Sequence, residues 1–270
     1  MSSSEHFEKT DAPPLPEPYE FPVSDVQSRN RTFFVAGATG RTGRLVVDQL
    51  LERGHGVIAM VRSGSSSVES RKPCEGLEIV EGNILESRPV DLAAHLAGCD
   101  GVAICLGHPL SWRGVFGPPR RLVRDAVALL AEAANRREGN RPPRLVLMGS
   151  AGVRNPACDA PLSRSERLVL TLLRTLLPPH ADNEEAAATL RSGQAGRELD
   201  GEWCVIRPDT LFDEEVASCY DVDFAPQRSA LFDPGRTSRI NVAHFMAELL
   251  TCDGAWNKWR GEMPVIYNRS

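Results

Sequence analysis

Gly37, Gly40 and Gly43 are spaced Gly-x-x-Gly-x-x-Gly, and this is the pattern in the chain that most directly implies chemistry. The first glycine permits a tight turn, the second lets the backbone approach a pyrophosphate, and the third lets a helix pack closely on a strand. Free N–H groups at the helix start then face the phosphates, and the helix dipole favours their charge. Thr39 and Thr42 can add hydroxyl bonds. The spacing alone would be weak, but here an apolar run precedes it and helical period follows it, so it predicts a dinucleotide site. Arg62 lies nineteen residues past Gly43. An acid there would bond the ribose 2′-hydroxyl of NAD, whereas an arginine suits the 2′-phosphate of NADP. Arg41 adds positive charge inside the turn, and two arginines without an acid select NADP.

Alternating elements must position these residues. Short apolar runs at Thr32–Ala36, Gly56–Val61, Leu77–Val80, Gly101–Leu106, Arg144–Met148 and Trp203–Ile206 read as buried strands, with a late one at Val265–Tyr267. Helical period marks Thr42–Arg53, Arg120–Ala134, Arg167–Leu177, His180–Leu190 and Asn241–Leu250, the last with Asn241 as its cap. Apolar strands separated by amphipathic helices imply a parallel sheet covered on both faces, with right-handed crossovers. Four irregular stretches interrupt the alternation: Ser63–Pro73, His108–Pro119, Asn155–Pro179 and 208–238. They follow the C-terminal ends of strands, where open α/β sheets bind ligands.

The chain has 270 residues and a formal charge of -5, so it is a poor candidate for tracking nucleic-acid phosphates. No apolar run approaches the ~18 residues of a membrane span. The cysteines at 74, 99, 105, 158, 204, 219 and 252 form no Cys-x-x-Cys pair. That pattern fits reduced thiols in a cytoplasmic protein, and neither a disulfide framework nor a metal site. Residues 1–29 are proline-rich, acidic and without period, and are expected to form a disordered tail ahead of one domain over 30–270.

With these motifs the chain resembles the atypical short-chain dehydrogenase/reductases, in particular their NmrA-like, NAD(P)H-binding members. The likeness covers about residues 31–268 and rests on several segments. These are the turn 37–43, Val61 and Arg62, Glu81–Asn83 after the third strand, Leu147–Ser150 after the fifth, Val205–Pro208 after the sixth, the helix from Asn241, and Met263–Asn268. The resemblance implies a Rossmann-like doubly wound parallel sheet, with residues 207–270 contributing a small C-terminal substrate region. It also implies roles around the cofactor. Asn83 takes the place of an aspartate that touches adenine, and Ile84 flanks that ring. Leu106 and Gly107 line the ribose, Ser150 stands by the nicotinamide, and Pro208 by its carboxamide.

In this superfamily a Tyr-x-x-x-Lys pair on one helix face usually transfers the proton. This chain cannot build it: lysine occurs only at 9, 72 and 258, and none lies four residues after Tyr19, Tyr220 or Tyr267. In the corresponding helix Asn183 and Ala187 hold that spacing. Two readings follow. In the first, the chain is an NADP(H)-dependent oxidoreductase of a small carbonyl, quinone or flavin-like acceptor. Ser150 and also His108 or Asn183 polarise that acceptor, with His180 a further source of the proton. In the second, it is a non-catalytic NADP(H) sensor that acts through a protein partner, the arginine-bearing helix 164–177 being a candidate face. An epimerase or dehydratase would also need the missing tyrosine, and a homodimer is open in every case. Trp112 is placed to cover a flat substrate, Trp256 and Trp259 to pack, and Arg207 to pair with an acid. Glu184 and Glu185 are expected to face solvent.

Overall fold

The computed structural model describes residues 30–62, 74–108, 111–112, 116–137, 141–161, 163–193, 202–230 and 232–269. The tail at 1–29 and the loop at 63–73 lie outside the described residues. In chain order the elements are β1 (Thr32–Ala36), α1 (Gly43–Glu52), β2 (Gly56–Val61), β3 (Leu77–Glu81), α2 (Pro89–Leu96), β4 (Gly101–Ile104), α3 (Leu122–Arg136) and β5 (Arg144–Met148). They continue with α4 (Arg164–Leu176), α5 (Pro178–Arg191), β6 (Trp203–Pro208), β7 (Thr210–Phe212), β8 (Tyr220–Asp223), β9 (Arg236–Ser238), α6 (Arg239–Thr251), α7 (Asp253–Trp259) and β10 (Val265–Asn268).

The main sheet runs β3-β2-β1-β4-β5-β6-β10-β8, parallel throughout except for β8, which pairs antiparallel with β10. Its first six strands follow the dinucleotide-binding order, with the switch point between β1 and β4. Side chains alternate across the sheet with period two. Phe34, Val102, Leu145 and Val205 face an apolar layer shared with α2, α3 and α5. Phe33, Val35, Val146 and Ile206 face the opposite layer, shared with α1, α6 and α7. Both Trp256 and Trp259 are buried in this second layer, as their positions predict.

The sequence pattern places the long elements correctly, with ends shifted by a few residues. Five elements are not visible in it: α2, α7, β7, β8 and β9. Each is short, with eight residues or fewer. One cap is reassigned. Asn241 does not cap α6; Ser238 does, its Oγ accepting from the Asn241 N–H at 3.3 Å. The Asn241 side chain instead binds the Ser218 hydroxyl and Asn268 Oδ1, tying α6 to β10. The start of α4 is set by a capping box: Ser163 Oγ accepts from the Glu166 N–H at 3.2 Å, and Glu166 Oε2 accepts from the Ser163 N–H at 2.9 Å.

Arg207, inside β6, is the one fully buried arginine among the described residues. Its Nη1 reaches Asp159 Oδ2 at 2.8 Å and the Val153 carbonyl at 3.1 Å. Nε donates to the Met263 carbonyl at 2.6 Å and Nη2 to the Phe224 carbonyl at 3.0 Å. Breaking such a pair from one side leaves a buried charge uncompensated. Asp159→Ala is therefore expected to lower stability by about 3–5 kcal/mol, measured by chemical denaturation.

Candidate functional site

The turn after β1 packs against the end of β4. Gly37 has φ +82°, and a Cβ there would sit 2.7 Å from the Cys105 carbonyl oxygen. The Gly40 N–H donates to the Gly37 carbonyl at 2.9 Å. A Cβ on Gly43 would lie 2.1 Å from that same oxygen, so α1 can start only from glycine. Gly37 and Gly43 are thus demanded by the protein's own packing. Gly107 is different: among the described residues no atom lies within 4 Å of a Cβ placed there. Gly40 and Gly107 are exposed on the two sides of the switch point. A cleft bordered by backbone without side chains is the shape that a pyrophosphate needs, so the residues fit a dinucleotide.

Around this cleft Thr42 is buried and Thr39 half-buried. Arg41 forms an ion pair with Asp213, which also accepts from Arg239 Nη1 at 2.9 Å. Arg62 is exposed at the end of β2. Asn83 closes a local turn: its Oδ1 accepts from the Leu85 N–H at 3.2 Å and its Nδ2 donates to Glu86 Oε1 at 2.7 Å. Ile84 is buried in the layer beneath α2 and α3, against which Leu106 also packs.

Beside the ends of β5 and β6 lies a cavity of ≈ 230 Å³ lined by Ser150, Gly152, Leu170, His180, Asp209 and Thr210, with Ala151 and Ala230. Ser150 Oγ accepts from the Gly152 N–H at 3.3 Å. The Ala151 N–H donates to the Pro208 carbonyl at 2.8 Å, which holds the Ser150 loop beside the end of β6. The cavity is below the range of roughly 300–1,000 Å³ typical of drug-sized ligands, so it suits a small reacting group.

The candidate proton groups separate clearly. His108 has a side chain only 5% exposed, with Nε2 2.8 Å from Asp182 Oδ2, and it is not among the residues lining the cavity. The Asp182 carboxylate also accepts from the N–H groups of Val123 and Arg124, at 2.8 and 2.9 Å. A carboxylate from α5 thereby satisfies the start of α3, where Arg121 gives no side-chain cap. Asn183 is half-buried beside it. Glu184 does not face solvent as expected. Its side chain is 13% exposed, gripped by Arg174, with Oε1 3.8 Å from His180 Nε2. Helical spacing explains this, since positions 180 and 184 share one face. Glu185 is exposed and pairs with Arg121 at 3.1 Å. Trp112 is 80% exposed and stacks on Phe116, with ring centroids 4.6 Å apart. Sequence reasoning missed Asp209 and Asp182; the aspartates carry no motif, and only the fold brings them to the site.

A sheet in this order with a glycine turn at its switch point defines a dinucleotide-binding α/β protein. Residues 37–253 match the model of the NAD(P)H-binding family, and the chain belongs to that family. Solved structures agree on the fold. An oxidoreductase of Lactococcus lactis superposes with a TM-score of 0.62 at 18% identity, over 88% of this chain and 91% of that one. A short-chain dehydrogenase/reductase of Veillonella parvula, solved in complex with NADP, gives 0.61 at 14% identity, over 89% and 95%. Among curated proteins, divinyl chlorophyllide a 8-vinyl-reductase of Zea mays, a chloroplastic protein, is 36% identical over 87 residues, 32% of this chain and 22% of its own length. An uncharacterized chloroplastic protein of Arabidopsis thaliana is 40% identical over 76 residues, 28% of this chain and 26% of that protein. The matched segments span only 14–26% of the length of the curated relatives. Among the described residues no helix is long and apolar enough to cross a membrane.

Because none of the described residues fills the space at Gly107, Gly107→Val is expected to leave the melting temperature unchanged. It should cut dinucleotide affinity at least tenfold, or about 1.4 kcal/mol. Calorimetric titration beside a thermal melt checks both halves.

Proposed function

We propose that the chain is an NADP(H)-dependent oxidoreductase of the atypical, NmrA-like short-chain type, reducing a small carbonyl, quinone or flavin-like acceptor without a Tyr-x-x-x-Lys pair. The observation that carries this reading is the small polar cavity against Ser150, at the strand ends that continue from the glycine turn. In this reading Gly37, Thr39, Gly40, Arg41, Thr42 and Gly43 hold the pyrophosphate, and Arg62 takes the 2′-phosphate. Arg41 already shares its charge with Asp213, which leaves Arg62 as the main reader of that phosphate. Asn83 and Ile84 border the adenine, Leu106 and Gly107 the ribose, and Ser150 and Pro208 the nicotinamide. When bound, the reduced cofactor supplies a hydride from its nicotinamide ring.

Ser150 polarises the acceptor from the cavity wall. Asn183 stands at the position of the superfamily's tyrosine, and His108 supports it from behind through Asp182. The partner is a small molecule, and the setting is cytoplasmic; the seven cysteines, all free thiols, support a reducing compartment.

A second reading, an NADP(H) sensor with a protein partner, has one observation in its favour. Leu168, Leu172 and Leu176 are exposed in a row on α4, four residues apart. Turnover on a panel of aldehydes, quinones and flavins decides for the enzyme. Its absence, together with a partner retained by NADPH and released by NADP⁺, decides for the sensor.

Arg62→Ala is expected to weaken NADPH by about 1–3 kcal/mol through loss of charge-assisted bonds, leaving NADH nearly unchanged. Equal losses for both cofactors in a calorimetric titration would remove Arg62 as the phosphate reader.

A further inference from the structure

A carbonyl carbon that receives a hydride leaves an oxygen that needs one proton, and this chain lacks the pair that usually gives it. Four residues lining the cavity carry polar side chains: Ser150, His180, Asp209 and Thr210. Neither hydroxyl titrates near neutral pH. The Asp209 carboxylate is occupied, with Oδ1 accepting from the Thr210 N–H at 2.8 Å and Oδ2 from the Gly235 N–H at 2.9 Å.

His180 is left. Its Nε2 is buried and has no hydrogen-bond partner among the described residues. Its ring lies against the Ser150 loop, where a Cβ on Gly152 would come within 3.2 Å of Cε1. Glu184 Oε1, at 3.8 Å, is too far to bond the ring but close enough to act on its charge. Arg174 Nη2 in turn holds that carboxylate at 2.9 Å. Nε2 is thus enclosed on the Glu184 side, and Nδ1, within 3.5 Å of that same Cβ on Gly152, is the ring nitrogen on the Ser150 side, where the cavity lies.

We propose that His180 is the proton donor to the acceptor in this cavity, through Nδ1 on the Ser150 side of its ring, with Glu184 and Arg174 beside Nε2 as positioning residues that govern its charge. This rests on the oxidoreductase reading above. The step balances: the acceptor carbon gains the hydride with its electron pair from the reduced nicotinamide. The carbonyl π pair moves to oxygen, and that oxygen takes the proton from Nδ1. Water then recharges the imidazole. Burial pushes the His180 pKa below its ordinary 6.5, Glu184 opposes that fall, and Arg174 adds to it. Asp209 is the further charged group on the cavity wall. The donor must be protonated, so reduction slows as pH rises through this pKa, and the reverse oxidation quickens.

Two readouts on the full chain test the assignment. The first is NMR titration of the His180 ring, and the second is the pH profile of NADPH oxidation with menadione and benzaldehyde. Arg174→Gln should move both the ring titration and the kinetic limb upward, and Glu184→Gln should move both downward. His180→Gln should lower kcat about 100-fold or more while NADPH still binds. Should that buried substitution fail to fold, the two variants on α4 and α5 carry the same readout. If His180→Gln turns over within about threefold of wild type, or if the ring titration and the rate move independently, the donor assignment is overturned and the oxidoreductase reading stands. If the wild-type chain binds NADPH and reduces neither acceptor nor any other on the panel, both fall together.

Discussion

A single buried cation organises the walls of the candidate site. Arg207 sits inside β6 with no exposure, and its guanidinium ties three irregular segments to the sheet: the loop after β5 through Val153 and Asp159, the approach to β10 through Met263, and the segment after β8 through Phe224. An arginine suits this task because its five donors form a fixed fork, which a lysine's rotating ammonium does not. Removing two charges from water is costly, so the arrangement holds only while every donor has a partner. What the network secures is position. The next residue, Pro208, presents its carbonyl to Ala151, and Asp209 then fixes Thr210 and Gly235 around the cavity.

The cofactor side depends on a different constraint, close backbone approach. Gly37 and Gly43 are required because the turn presses on the Cys105 carbonyl and on itself. Gly107 is crowded by no atom of the described residues. Glycines of these two kinds look alike in a sequence. In three dimensions the first kind builds the turn, and the second leaves room for something outside it. The ion pair of Arg41 with Asp213 then joins the turn to the segment after β7.

The glycine turn, the six parallel strands and the structural role of Arg207 were legible in the sequence, because each follows from local spacing or from the cost of burying a charge. The cavity was not. Asp209 and Gly152 belong to loops whose course depends on Arg207, and no local pattern encodes that. Glu184 was misread because an exposed-looking helix residue can be covered by another helix, here α4 through Arg174. The Ser163 and Glu166 capping box was a readable signal for the start of α4, three residues earlier than the apolar period suggests.

The helix α5 explains how the fold survives without the usual catalytic pair. Its core face is made by Ala186, Ala187 and Leu190, with Asp182 turned inward to the start of α3 and to His108. The stripe through His180 and Glu184 points elsewhere, toward α4 and the cavity. Stability therefore rests on one set of positions and chemistry on another, separated by the helical period. Asn183 stands half-buried outside that core face, whereas Ala187, four residues on, is itself part of it. That separation lets the same scaffold place a histidine one turn earlier, where the Ser150 loop and the cavity meet it.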